Sequence, residues 1–342
     1  MAKYRIVTPA TAGAHYDFEM EALAAIDAEI IEAPAEPAAF ADAARTADAV
    51  YGKGMAISAS IIHQLERCRV ISLGSVGVDS VDIAAATARG IPVTNVPDTF
   101  IEEVADHAMT LLLGGFRRLV EQDRMVRDGR WREGRPQLSG IPRLMGQTLG
   151  FIAFGHVARA VALRARPFGL RMLGYDPFIE ELIMPPYGVE PATLEEVLQR
   201  SDFISMHAPA TPEAAGMLTE EHFRMMKPGA LFINTGRGAT VDENALITAL
   251  QQGWIAGAAL DVLATEPPRQ DNPLLQMRNV TLTAHVASAS ARFDPARKRR
   301  VGQELALALT GRWPMSCVNP TVLAGLDARR WQPESMERGP NS

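Results

Sequence analysis

Between Leu149 and Thr283 the chain repeats one pattern: a short apolar run, then a longer stretch of helical period. The runs are Leu149–Phe154, Arg171–Tyr175, Phe203–His207, Ala230–Thr235, Ile255–Asp261 and Val280–Thr283. Stretches such as Leu194–Gln199 and Glu243–Gln252 fill the gaps with apolar residues at helical spacing. Strands that alternate with helices pair in parallel and are covered by helices on both faces. Six strands in succession, the number read here, match one doubly wound α/β sheet.

The same rhythm, on a smaller scale, precedes Leu149. Tyr4–Val7, the run around Val50, Arg69–Gly74 and Pro92–Pro97 read as strands, with helices over Tyr16–Ala28 and Ser60–Arg67. Ile101–Arg127 reads as one long helix, interrupted only by Gly114–Gly115. A chain of 342 residues has room for two such domains. After Ala291 come a basic helical stretch, "ARKRRVGQELALAL", and a polar end, "DARRWQPESMERGPNS", expected to fray. The "ARKRR" cluster reads either as a solvated helix face or as a basic recognition patch.

Composition narrows the function classes. With 34 Lys+Arg against 40 Asp+Glu, the net charge of -6 gives no support for binding nucleic acid or a membrane surface. The start, "MAKYRIVTPA", lacks the apolar core of a secretory signal, and no run approaches the ~18 apolar residues of a membrane span. The 2 cysteines, Cys68 and Cys317, suit a reducing compartment. A cytoplasmic, soluble protein is expected. No G-x-S-x-G nucleophile turn occurs, and the 7 histidines are scattered, so no metal site is expected.

The turn "LGFIAFGHVARAVA" (Leu149–Ala162) joins an apolar strand to a helix in the manner of a dinucleotide-binding fingerprint. Gly155 holds the position where backbone approaches pyrophosphate, and Ala158 is an accepted substitute at the third position. Ala153 replaces the first glycine, which is tolerable if its φ stays negative. Downstream, Asp176 ends the next strand, about 20 residues on, where a carboxylate accepts the ribose hydroxyls and repels a 2′-phosphate. No arginine follows within "PFIEEL", so NAD is favoured over NADP. The alternative for Asp176 is a turn residue before Pro177.

Later strands end in residues able to carry acid–base and anion chemistry. "ALFINTGRG" delivers Arg237, "AALDVLATEP" delivers Asp261 and Glu266, and "VTLTAHVAS" delivers His285. In an open α/β sheet, ligands bind outside these strand ends. Oxidising a 2-hydroxy acid needs a base of near-neutral pKa, a partner that orients it, and a cation that forks onto a carboxylate. His285, Glu266 and Arg237 are of those types. Lys53, in "VYGKGMA", follows a strand and either binds a second anionic group or is an exposed loop lysine.

From about Val50 to Pro320 the sequence resembles the D-isomer-specific 2-hydroxyacid dehydrogenase family. That family includes phosphoglycerate dehydrogenases, glyoxylate/hydroxypyruvate reductases and C-terminal-binding-protein corepressors. The likeness rests on "GVDSVD", "GIPVTNVP", "EEVADHAMTLLL", "HAPATPE", "KPGALFINTGRGATVDENAL" and "GAALDV" with "EPP". It implies a Rossmann NAD domain, residues 103–291, inserted in a flavodoxin-like substrate domain, 1–102 and 292–322, with a polar tail over 323–342. It implies a homodimer built on the cofactor domain, and a cleft that closes on hinges. By position it makes His285 the general acid/base, Glu266 its partner and Arg237 the substrate clamp. It places the cofactor against Gly155, His156, Val157, Asp176, His207, Ala208, Pro209, Thr235, Gly236, Asp261, His285 and Ala287, with Asp261 on the nicotinamide amide. The substrate falls to Lys53, Ser75, the backbone of Val76 and Gly77, and Arg237. An NAD(H)-sensing corepressor-like scaffold of the same fold is the alternative to an active enzyme.

Overall fold

The computed structural model describes residues 2–330. The chain divides into two units. One joins the residues up to Thr99 to those from Ala291 onward, and the other is Phe100–Ser290.

The first unit is built on β1 (Tyr4–Pro9), β2 (Ala28–Ala33), β3 (Ala49–Gly52), β4 (Ile71–Leu73) and β5 (Val93–Thr94). They pair in parallel in the order β2-β1-β3-β4-β5. This is the flavodoxin-like order, with its switch point between β1 and β3. β3 and β4 are wholly buried, which accounts for runs that are apolar except for Ser72, whose hydroxyl accepts that of Thr94.

The expected helix over Tyr16–Ala28 is shorter. Helix α1 (Asp17–Leu23) ends early, and "AEIIEA" pairs as β2 in register from Tyr4↔Ala28 to Pro9↔Ala33. A half-exposed edge strand carrying Glu29 and Glu32 has the composition of a helix, so its local signal misleads.

The C-terminal helix Phe293–Leu309 lies on α1, so closely that a Cβ at Gly302 would sit 2.6 Å from the Glu19 carbonyl. Its basic run is neutralised inside the unit: Arg299 pairs with Glu21 at 2.9 Å, Arg297 with Asp294 at 2.6 Å and Arg300 with Asp98 at 3.2 Å. Of the polar end expected to fray, only residues 327–330 are described, and there the chain is held. Arg329 bonds to Gly311 and Trp313 through its main chain, each at 2.8 Å. The remainder of the expected tail, 331–342, lies outside the described residues.

The second unit carries β6 (Thr148–Ile152), β7 (Arg171–Tyr175), β8 (Val189–Pro191), β9 (Phe203–Met206), β10 (Leu231–Asn234), β11 (Gly257–Leu260) and β12 (Val280–Leu282). All pairings are parallel, in the order β12-β11-β10-β9-β6-β7-β8. β8, a short edge strand ending in Pro191, adds a strand to the six expected. Two apolar clusters cover the faces, one around Phe151, Phe154, Leu111 and Ala162, the other around Ile204, Phe232, Leu246 and Phe223.

Helix α2 (Ile101–Phe116) runs through both glycines that were expected to interrupt it. A Cβ at Gly115 would come within 2.9 Å of Leu231 Cδ2, so this glycine seats the helix on the sheet. The break falls instead at Arg118, whose φ is +50°, and the chain resumes as α3 (Leu119–Arg127). Among the described residues, no helix is long and apolar enough to cross a membrane.

Candidate active site

In the second unit the strand order reverses between β6 and β9, and ligands of such sheets bind outside the carboxyl ends at that point. The turn leaving β6 passes through Ala153, whose φ is +66°, contrary to the negative value that an alanine was expected to keep. Two bonds to the end of β7 hold it there. The Ala153 N–H donates to the Tyr175 carbonyl at 2.8 Å, and the Phe154 N–H donates to Asp176 Oδ2 at 2.8 Å. A left-handed alanine costs about 1–2 kcal/mol, so those contacts over-determine the turn.

Gly155 is the N-cap of helix α4 (His156–Ala165), and no side chain caps that terminus. Nothing lies within 4 Å of where its Cβ would stand. Gly155 and His156 are exposed, Val157 is half-buried, and the Ala158 methyl fits the core fully buried. Uncapped helix starts with open backbone in front of them favour anions.

The neighbouring strand ends complete a cradle. Asp176 accepts Phe154 N–H through Oδ2 and Phe178 N–H through Oδ1 at 2.9 Å, which leaves lone pairs on both oxygens. It is thus a turn residue that keeps acceptor capacity for a ligand hydroxyl. At the end of β9, His207 Nε2 lies 2.8 Å from Ser205 Oγ, and desolvation pushes its imidazole down to about 4. Ala208 is buried and Pro209 exposed.

Gly236 packs on this segment: a Cβ there would meet the Ala208 carbonyl at 3.1 Å and His207 Cα at 3.3 Å. Beside it, Thr235 Oγ1 is buried with no partner among the described residues. An orphaned hydroxyl, an uncapped helix start and a carboxylate with spare acceptor capacity fit a bound dinucleotide.

The catalytic candidates converge in the same unit. The buried Asn234 amide shapes the Arg237 turn, accepting Gly236 N–H at 2.9 Å and donating to the Arg237 carbonyl at 3.1 Å. A side chain at Gly238 would collide with the Leu263 backbone, so the Arg237 turn touches the loop that carries Glu266. Glu266 Oε1 accepts Leu263 N–H at 2.9 Å, and Oε2 lies 2.6 Å from His285 Nδ1. A carboxylate only accepts, so Nδ1 carries the hydrogen and Nε2 is left as the ring's second acid–base atom. His285 remains half exposed.

Its backbone lies in the left-handed region, φ +52°. Asp261 imposes this: its carbonyl accepts His285 N–H at 2.8 Å, Oδ1 accepts Val286 N–H at 3.0 Å and Oδ2 accepts Ala287 N–H at 2.9 Å. Asp261 is 2% exposed, and the Ala287 N–H is committed to it.

In the first unit, Lys53 follows β3 with its Nζ 3.3 Å from the Tyr16 hydroxyl and 4.7 Å from that ring's centre. Burial lowers its pKa. After β4, three successive carbonyls are tied down. Ser75 C=O accepts Val96 N–H at 3.1 Å, Val76 C=O accepts Asn95 Nδ2 at 2.7 Å, and Gly77 C=O accepts Ser75 Oγ at 2.6 Å. These bonds fix the backbone of the loop over residues 75–77.

Several residues that shape the site escape sequence reasoning. Asn234 is one. Glu243 is another, its carboxylate accepting Ala264 N–H at 2.8 Å and Asn272 Nδ2 at 2.9 Å to staple the Glu266 loop. Thr283, whose hydroxyl donates to Asp261 Oδ1 at 2.5 Å, is a third.

Residues 109–287 match the family model described as "D-isomer specific 2-hydroxyacid dehydrogenase, NAD binding domain". A glyoxylate reductase of Korarchaeum cryptofilum is 41% identical over 78% of this chain and 81% of its own length. A D-3-phosphoglycerate dehydrogenase of Mycobacterium leprae is 35% identical over 77% of this chain and 49% of its own. Among solved structures, the NADPH-dependent glyoxylate/hydroxypyruvate reductase of Sinorhizobium meliloti, in complex with NADP and malonate, superposes with a TM-score of 0.80. It is 33% identical and covers 94% of this chain and 98% of that one. The strand order, the cofactor cradle and these matches together establish that the chain belongs to the D-isomer-specific 2-hydroxyacid dehydrogenase family, as an oxidoreductase with a dinucleotide-binding domain.

Proposed function

We propose that the protein interconverts a 2-keto acid and its D-2-hydroxy acid, running as a reductase in the cytoplasm. The observation that carries this is the 2.6 Å contact between His285 Nδ1 and Glu266 Oε2, on a loop packed against the Arg237 turn. Bound nicotinamide supplies or takes the hydride. The chain's own residues do the rest. Arg237 forks onto the substrate carboxylate and polarises the adjacent carbonyl. His285 Nε2 holds the proton at the substrate oxygen, giving it to the carbonyl on reduction and taking it from the hydroxyl on oxidation. Glu266 keeps the ring's orientation and stabilises its protonated form.

Gly155, His156 and Val157 would hold the pyrophosphate, and Asp176 the ribose. His207, Ala208, Pro209, Thr235 and Gly236 would line the dinucleotide, with Asp261 and Ala287 near the nicotinamide. NAD is favoured over NADP because Asp176 places a negative charge at the ribose and no Lys or Arg follows it before Arg200. In the first unit, the substrate-domain part of this reading, the Val76 and Gly77 amides and Ser75 take the substrate carboxylate and Lys53 an additional anionic group.

The second unit also shows exposed apolar side chains, Leu119, Val126, Trp131, Met145 and Leu163 among them, which supports a homodimer built on it. NADH consumption at 340 nm with glyoxylate, hydroxypyruvate and larger 2-keto acids tests the activity. Turnover of at least one is expected. Tight NADH binding without turnover of any would overturn the reading in favour of a nucleotide-sensing scaffold.

A further inference from the structure

His285 sits in a backbone conformation that only its surroundings maintain, and those surroundings do not end at Asp261. Thr283 Oγ1 donates its one hydrogen to Asp261 Oδ1 at 2.5 Å. The same oxygen lies 2.9 Å from His107 Nε2 on α2, 176 residues away in sequence. Since the threonine hydrogen is already placed, Oγ1 accepts there and His107 Nε2 donates. That nitrogen also lies 3.4 Å from Asp261 Oδ1.

One turn earlier on α2, Glu103 Oε1 accepts the Ser290 hydroxyl at 3.0 Å. Residues four apart share a helix face. One face of α2 therefore grips the chain on both sides of His285, at Thr283 before it and at Ser290 after it.

We propose that His107 is a positioning residue for the reaction, with Glu103 as its second point of hold. It acts through Thr283 and Asp261 to keep His285 in its left-handed backbone and its ring on Glu266. The chain of donors runs His107 Nε2–H to Thr283 Oγ1–H to Asp261 Oδ1, and Asp261 receives the three successive amides of 285–287. Removing the first donor loosens the loop at the nicotinamide end, where Asp261 and Ala287 lie, and leaves the uncapped start of α4 and Asp176 to hold the rest of the dinucleotide. The loss falls on catalysis more than on nucleotide binding. The effect on kcat rests on the function proposed above, whereas the effect on the His285 ring does not.

The test compares His107→Gln, which keeps a donor near the Nε2 position, with His107→Phe, which keeps bulk and loses the donor, and with Thr283→Val. His107→Phe and Thr283→Val are expected to lower kcat about 10- to 100-fold, since misplacement of about 1 Å has effects of that size. NADH affinity by fluorescence stays within about twofold, and His107→Gln stays within about threefold of the parent in kcat. The double variant, Phe at 107 with Val at 283, falls no further than the worse single one, because both remove the same chain of bonds.

A second readout uses the protein with no nucleotide added: the 15N shifts of the His285 ring, assigned with His285→Gln, move in the Phe and Val variants and not in the Gln variant. If His107→Phe leaves kcat and the ring shifts unchanged, or if Gln does no better than Phe, the proposal is overturned. A parent protein that reduces no keto acid overturns the proposed function alone, and the ring shifts still decide the role of His107.

Discussion

Ala153 and His285 are the residues at which local preference yields to the site. Each holds a positive φ that its side chain disfavours, and each follows a strand's carboxyl end, the side on which open α/β sheets bind ligands. At Ala153 the strain has a direct test. Relief of about 1–2 kcal/mol on Ala153→Gly, less about 0.4–1 kcal/mol from the freer unfolded chain, leaves a net gain of about 0–1.6 kcal/mol, centred near 1. The melting temperature should rise by about 1–4 °C, and a fall would show that the methyl stabilises the turn by packing. Asp176 carries a second prediction. Asp176→Asn keeps an acceptor for Phe154 N–H and removes the charge, so the preference of kcat/KM for NADH over NADPH should shrink at least about tenfold, or about 1.4 kcal/mol. An unchanged ratio would place cofactor choice elsewhere.

Among the elements, those buried on both faces were plain in the sequence. β6, β9 and β10 are fully buried in parallel pairing, and each reads as a mainly apolar run with one polar residue, Thr148, Ser205 and Asn234 respectively. β2 and β8 are edge strands that carry glutamate or proline, and their signal resembles helix or loop. The break between α2 and α3 falls at Arg118 because Gly115 is needed for contact with Leu231, a reason lying in another element. The same division runs through the site. Arg237, Glu266 and His285 were legible because strand ends expose them, whereas Asn234, Glu243, Thr283 and His107 act through contacts that no local pattern carries. At the end of β9, His207 predicts a pH effect. Its pKa, depressed to about 4, means that the unfolded chain binds a proton the folded chain refuses. Stability is therefore complete above pH about 6.5 and falls as pH drops toward 4, by up to about 3 kcal/mol. Urea titrations should show this loss in the parent and a smaller one in His207→Asn. Equal losses would assign it to other groups.

At the scale of the whole molecule, the described residues form two parallel sheets of different order, of five and seven strands. The exposed Leu119, Trp131 and Leu163 predict association: light scattering should give a dimer, and Trp131→Ser with Leu119→Ser should shift it toward monomer. A parent that is monomeric at micromolar concentration contradicts that assignment. In the proposed reaction His285, oriented by Glu266, moves the proton of a 2-keto acid reduction. His285→Gln measures it most directly, with NADH consumption followed at 340 nm on the best substrate and NADH binding followed by fluorescence on the same samples. A fall in kcat of about 10²- to 10⁴-fold is expected, with NADH affinity nearly unchanged. A variant that turns over at the parent's rate would contradict it.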